Sequence, residues 1–295
     1  MIPVLCGERT PQWVEHLNQA AGTLAYQAGP CPGPVAVFTA PQASQLDQID
    51  GLEWAHCTYA GVEAALDLTQ TPIARLIDPE LGRNMAQSAL SACLAYAQNL
   101  QYYRQDQRMQ RWSPRDQKRP AQIQVLILGA GEMARACAQT LKNNGFKVAT
   151  FSRRAKALPW PHFSSLGPEV LSGANVLMNL LPSTPDTQGI VNSNLIANLP
   201  TDSQIINFGR GDAVVEPDLL NWLEAHAEAS ALLDVFDIEP LPDSHVYWTH
   251  PQVEIWPHVS AQTNVASAAQ VIHEAIQHWQ QTGQTPALVN RERGY

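Results

Sequence analysis

Apolar residues follow two rhythms along this chain. Short aliphatic and β-branched runs at 2–6 (IPVLC), 35–39 (VAVFT), 52–57 (LEWAHC) and 73–78 (IARLID) alternate with stretches such as 12–21, which carry a helical pattern. The runs predict short buried strands, and the alternation predicts a small parallel α/β lobe. Residues 82–112 then place Met85, Ala89, Leu90, Cys93, Leu94, Ala97 and Leu100 mostly three and four apart, which predicts one long helix leaving that lobe. The segment 101–118 is polar and charged, and Pro114 and Pro120 mark a linker. From 122 to about 266 strand and helix patterns alternate again, and a last helix over 264–281 is expected to return to the first lobe. No internal repeat or low-complexity segment interrupts this order.

Composition agrees with two domains. A chain of 295 residues with 45% hydrophobic content exceeds one ordinary domain and can bury two cores. A net charge of -9 without a basic run argues against nucleic acid and anionic membranes as partners, so an anionic ligand must be drawn in by local arginines. Cys6, Cys31, Cys57, Cys93 and Cys137 have no metal-ligand spacing, and no secretory signal precedes them. They are expected to be reduced thiols packed as small hydrophobes in a cytoplasmic protein that holds no metal. No stretch approaches the roughly 20 apolar residues of a membrane span.

The sharpest local signal is LILGAGEMA at 126–134. An apolar strand over 123–128 stops at Gly129-Ala130-Gly131, and a helix is expected from about 133 to 143. Gly129 permits the tight turn, Gly131 lets a pyrophosphate approach the backbone, and Ala134 stands where helix meets strand. Phosphate is then held at a helix N-terminus, so this half of the chain reads as a Rossmann cofactor domain. A second strand over 146–151 ends in Ser152-Arg153-Arg154, where an NAD-preferring protein would carry an acid for the ribose hydroxyls. Guanidinium groups suit a 2'-phosphate, so NADPH is expected in preference to NADH.

Three further residues carry chemistry: Arg210 in NFGRGD, Glu239 in LLDVFDIEPLP and His258 in IWPHVSA. Arg210 follows the apolar strand 204–208, at the carboxyl end where such sheets bind ligands, and can hold a carboxylate while polarising a neighbouring carbonyl. A protonated imidazole at His258 can donate to a developing alkoxide, and a carboxylate at Glu239 can fix its tautomer and favour its charged form. Taken singly, each also fits a turn arginine, a helix-capping glutamate or a histidine satisfied by backbone.

In this order GAGEMA, NFGRGD, LLDVFDIEPLP and WPHVSA resemble the D-isomer-specific 2-hydroxyacid dehydrogenase family, with 29 positions from Arg210 to Glu239 and 19 from Glu239 to His258. The resemblance implies two doubly wound parallel-sheet α/β domains. These are a Rossmann domain at 85–266 and a smaller flavodoxin-like substrate domain at 1–84 plus 267–295. It implies that Arg210 binds a small 2-keto acid, that His258 is the acid/base with Glu239 as its partner, and that Asp234 meets the nicotinamide carboxamide. Gly129, Ala130, Gly131, Glu132 and Met133 would line the cofactor with Ser152, Arg153, Arg154 and the Leu181-Pro182 loop of NLLPSTPDTQGIVN. Within the family the chain is most similar to the glyoxylate/hydroxypyruvate reductase A group, through FSRRAK, that loop and the ending LVNRERGY. TYAGVE at 58–63 resembles the segment whose backbone holds the substrate carboxylate, which places Ala60, Gly61 and Val62 at the substrate. A homodimer is implied in the same way. Asn264 in place of an arginine, Gly209 in place of an alanine and Phe38 where a tryptophan is expected depart from the pattern and bear on substrate identity. The alternatives are a dehydrogenase of larger 2-keto acids such as phenylpyruvate, with NADH or NADPH, and a non-catalytic nucleotide-sensing protein of the same fold.

Overall fold

The computed structural model describes residues 1–294; Tyr295, the last residue of LVNRERGY, lies outside them. Two compact units are present, Met1–Leu81 together with the chain from Thr263, and Gly82–Gln262. The first is built on five parallel strands, β1 (Ile2–Leu5), β2 (Tyr26–Ala28), β3 (Val35–Phe38), β4 (Trp54–Cys57) and β5 (Ile73–Ala74), ordered β2-β1-β3-β4-β5. That is the flavodoxin-like order. Helix α1 (Thr10–Ala21) buries Trp13 and Leu17, and the one-turn α2 (Glu63–Leu66) follows β4. β3 and β4 are buried along their whole length, as strands covered on both faces must be. His56 on β4 is fully enclosed, and burial lowers its pKa to about 4, so it is held neutral. Phe38 is also wholly buried in this core. β2 was not evident from the hydrophobic pattern, being three residues long with a glutamine at its centre.

The expected helix over 82–112 is two helices, α3 (Pro79–Ala97) and α4 (Leu100–Arg108). The break is Asn99, in the left-handed region at φ 59, where asparagine is tolerated better than most residues. Its side-chain amide donates to the Asp116 carbonyl at 2.8 Å and folds the polar tail back, so residues 109–112 are not helical.

Seven parallel strands form the second sheet: β6 (Gln124–Leu128), β7 (Lys147–Phe151), β8 (His162–Phe163), β9 (Val176–Asn179), β10 (Gln204–Asn207), β11 (Ser230–Leu233) and β12 (Val253–Ile255). Their order, β12-β11-β10-β9-β6-β7-β8, reverses between β6 and β9, the switch point at which such sheets open a crevice. Alternation along β6 shows why it needs cover on both faces. Val125 and Ile127 join one core with Ala89, Cys93 and Cys137, while Leu126 and Leu128 join another with Leu219, Trp222 and Leu233. Helices α5 (Glu132–Asn143), α6 (Pro168–Leu171), α7 (Ser193–Ile196) and α8 (Glu216–Ala225) complete this unit. α9 (Val265–Thr282) then returns to the first unit and packs along α1. Asn264 is its N-cap, accepting from the Ala266 and Ser267 N–H groups.

Among the described residues no helix is long and apolar enough to cross a membrane, and no cluster of His, Cys, Asp or Glu could hold a metal. All five cysteines are free, and burial pushes the thiols of Cys6, Cys57 and Cys137 up to about 12, so these three are not thiolates.

Candidate active site

The second unit gathers its chemistry at the carboxyl ends of its strands. The loop after β6 carries Gly129 at φ 126, a conformation other residues rarely adopt, and a methyl there would lie 3.1 Å from the Leu180 carbonyl oxygen. Gly131 caps α5, and a Cβ on it would meet nothing within 4 Å. The first-turn N–H groups of a helix lack partners within it, so this turn is an open cradle that fits a pyrophosphate. Ala130 and Ala134 are buried, Met133 packs against the core, and Glu132 faces Arg135 on the exposed side.

After β7, the Ser152 hydroxyl donates to the Arg154 carbonyl at 2.9 Å and bends the loop. Arg153 forms an ion pair with Asp186 of the 180–192 loop, and Arg154 is exposed. Lys156 donates to the Ala130 carbonyl at 2.9 Å, placing a cation at the glycine turn. The reading of the sequence passed over this lysine, although it stands three residues after Arg153 in FSRRAK. Leu181 is held through its N–H by Asn179 Oδ1 at 3.1 Å, and the Pro182 carbonyl accepts from the Thr187 hydroxyl at 2.6 Å.

Arg210, Asp234 with Glu239, and His258 follow the ends of three adjacent strands, β10, β11 and β12. Phe208 and Trp256, each two residues before Arg210 or His258, stack at 5.4 Å and tie the outer strand ends together. Arg210 is half-buried and turns Nη1 onto the Gly209 carbonyl at 2.8 Å. Gly211 lies directly against the next strand's loop, and a Cβ there would fall 2.0 Å from the Phe236 carbonyl carbon.

Glu239 is fixed at both oxygens, accepting from the Phe236 N–H at 2.9 Å and from His258 Nδ1 at 2.7 Å. That bond sets the ring's tautomer and leaves Nε2 as the outward nitrogen, without a partner among the described residues. His258 has φ 53, a strained conformation that persists because its surroundings fix it. Its N–H donates to the Asp234 carbonyl, and the N–H groups of Val259 and Ser260 donate to the Asp234 carboxylate. Asp234 is fully buried and anchors the histidine loop, a task its sequence frame did not reveal.

In the first unit, residues 60–62 lead into α2, and the N–H groups of Ala60, Gly61 and Val62 have no acceptor among the described residues. Val62 is buried, while Ala60 and Gly61 are half-exposed.

A Rossmann sheet carrying a dinucleotide cradle, an arginine and a glutamate–histidine pair defines the class of nicotinamide-dependent oxidoreductases. Residues 90–260 match the family described as D-isomer specific 2-hydroxyacid dehydrogenase, NAD binding domain. The glyoxylate/hydroxypyruvate reductase A of Klebsiella pneumoniae (strain 342) is 34% identical over 305 aligned residues, covering 97% of this chain and 96% of its own. That of Serratia proteamaculans is 36% identical over 295 residues, covering 94% of each. A D-isomer specific 2-hydroxyacid dehydrogenase from Xanthobacter autotrophicus Py2, solved with NADPH and MES, superposes with a TM-score of 0.91 at 29% identity, over 100% of this chain and 99% of that one. The NADPH-dependent glyoxylate/hydroxypyruvate reductase of Sinorhizobium meliloti, solved with NADP and sulfate, gives 0.87 at 26% identity over the whole of both chains. The chain belongs to the D-isomer-specific 2-hydroxyacid dehydrogenase family.

Proposed function

We propose that this protein reduces a small 2-keto acid, glyoxylate or hydroxypyruvate, to the 2-hydroxy acid with NADPH. The observation that carries the reading is the Glu239–His258 pair, whose 2.7 Å bond through Nδ1 leaves Nε2 to face a substrate. A binding protein has no need of such a pair. When bound, the nicotinamide supplies a hydride to the carbonyl carbon. Arg210 holds the substrate carboxylate and draws charge onto the carbonyl oxygen, and His258 delivers the proton that this oxygen requires. Glu239 keeps the ring oriented, and hydride and proton together give the neutral hydroxyl.

Ala60, Gly61 and Val62 offer unpaired N–H groups suited to a carboxylate. The preference for NADPH rests on Arg153 and Arg154, which follow β7 where an NAD-preferring chain would carry an acid, with Arg153 exchanging its Asp186 partner for the phosphate, and on the NADPH and NADP bound in the Xanthobacter and Sinorhizobium proteins. Gly129, Ala130, Gly131, Glu132 and Met133 would hold the pyrophosphate, with Ser152, Leu181, Pro182 and Asp234 along the rest of the cofactor. Assignment of the first unit to substrate and the second to cofactor, and a homodimer, complete this reading and rest on the family likeness, while a cytoplasmic location rests on the unpaired cysteines.

The test is a panel of glyoxylate, hydroxypyruvate, pyruvate and phenylpyruvate with NADPH and NADH, on wild type and His258→Asn. The two small acids with NADPH should turn over best, and His258→Asn should lose roughly 10²- to 10⁴-fold while still binding NADPH. A preference for phenylpyruvate would transfer the assignment to larger acids, and wild-type turnover in His258→Asn would overturn the acid's role.

A further inference from the structure

The apolar strands β9 (VLMN) and β10 (QIIN) both end in asparagine, and the sheet register sets Asn207 directly beside Asn179. Each side chain is 1% exposed, and neither belongs to the chemistry described above. A polar residue so deeply buried is costly unless its amide is satisfied, and these two are satisfied by each other and by three backbone groups of the loops that follow. Asn179 Nδ2 donates to Asn207 Oδ1 at 2.9 Å, while Asn179 Oδ1 accepts from the Leu181 N–H at 3.1 Å. Asn207 Oδ1 also accepts from the Gly209 N–H at 3.2 Å, and Asn207 Nδ2 donates to the Arg210 carbonyl at 2.9 Å.

The result is one directional chain from the Leu181 N–H through two amides to the Arg210 carbonyl. Its direction is fixed at both ends, because a backbone N–H can only donate and a carbonyl can only accept. Turning either amide over would set two donors or two acceptors against each other. Aspartate at either place would lack the donor that its neighbour needs. Gly209 belongs to the same arrangement in this chain: a methyl, the side chain the family pattern carries at this place, would here stand 2.7 Å from Asn179 Nδ2 and 2.7 Å from the Leu181 carbonyl oxygen, so the spacing of the two loops in this chain is one that glycine sets.

We propose that Asn179 and Asn207 are a positioning pair that locks the backbone of Arg210 to the cofactor-side loop at Leu181, with Gly209 keeping open the space the pair occupies. The proposal deepens the reading of Arg210 as the substrate-holding residue and rests on it. The pair is buried and acts through the backbone; it makes the placement of the arginine and that of the loop one event. Disturbing one amide therefore moves both the keto-acid and the nucleotide constants.

The experiment is a double-mutant cycle in the full chain, with Asn179→Ala, Gly209→Ala and the two combined. It measures KM and kcat for glyoxylate, the NADPH dissociation constant by nicotinamide fluorescence, and the melting temperature. Either single change should raise KM for glyoxylate and weaken NADPH by about 10-fold or more, since displacements of about 1 Å near reacting groups are worth up to about 100-fold. Loss of the Asn179 side chain clears one obstruction and frees Leu181 from its tether, so the double variant should be markedly less impaired than the product of the single effects. Multiplicative effects overturn the proposal, as does an Asn179→Ala protein with a lower melting temperature but unchanged KM and NADPH affinity. If Asn179→Ala does not fold, Asn179→Ser opens the same space while keeping an acceptor for Leu181, and the same outcomes decide. Absence of glyoxylate reduction in the wild type would refute the functional reading instead, and the cycle would then be decided on NADPH affinity alone.

Discussion

Gly211 offers the most direct test of how the arginine and histidine loops are coupled. It is outside the left-handed region, so alanine costs it no backbone conformation, and the effect of substitution is purely one of space. A Cβ there would be 2.0 Å from the Phe236 carbonyl carbon and 2.3 Å from the Asp237 nitrogen, against ordinary contact beginning near 3.4 Å. Gly211→Ala must therefore separate the two backbones by more than 1 Å, and neither obstruction is a flexible side-chain end. One of the displaced segments follows Arg210 directly, and the other fixes Glu239 through the Phe236 N–H. Misplacement on this scale costs up to about 100-fold in rate, or about 2.7 kcal/mol of transition-state stabilisation. The strain also lowers stability by roughly 1–3 kcal/mol, a loss that a chain of this size can survive. Steady-state kcat/KM for glyoxylate with NADPH, read beside the melting temperature, measures both effects. Gly173→Ala is the control, because its new methyl meets nothing within 4 Å and its φ is unexceptional. A Gly211→Ala enzyme within twofold of wild type would refute the claim that the two loops share one fixed contact.

Two further outcomes follow from the cofactor loop and from the core of the first unit. Alanine at both Arg153 and Arg154 should weaken NADPH binding by roughly 1.5–3 kcal/mol for each charged hydrogen bond lost and leave NADH almost unchanged; titration with the two cofactors checks this, and an unaltered preference refutes it. His56 is held neutral with its pKa lowered from 6.5 to about 4, so between those values the unfolded chain takes up a proton that the folded chain refuses. Its contribution to stability is complete above pH 6.5 and falls as pH drops toward 4, by up to about 1.4 kcal/mol per pH unit. Urea midpoints across that window should fall less steeply in His56→Phe than in wild type.

Those elements that repeat a pattern were legible in the sequence. The glycine turn between strand and helix and the long apolar strands announce themselves locally, and Glu239 and His258 lie in frames distinctive enough to be singled out before their 2.7 Å bond is known. What escaped depends on neighbours distant in sequence. The helical rhythm runs unbroken through Asn99, and one left-handed residue leaves no trace in it. Asn179 and Asn207 are 28 residues apart and meet only through the register of β9 and β10. The space denied to a side chain at Gly211 comes from the backbone of another loop. Asp234 could be assigned toward a ligand from its frame, but its hold on residues 259–260 required the loop to be seen.

The histidine follows β12, a three-residue strand at one edge of the sheet that, among the described residues, pairs with β11 alone and is half-buried throughout. The proton donor is thus attached to an edge strand, held by the ladder on one side alone. Edge strands open with a free energy below that of global unfolding, and such local openings are governed by few contacts. Asp234, reaching across from β11, opposes this opening at the backbone of residues 258–260. Heat or denaturant would then silence the enzyme by peeling this margin away while the dinucleotide cradle, on the central strand β6, remains folded. Inactivation should therefore precede global unfolding, and amide exchange at Trp256 and His258, faster than at β6, would report it.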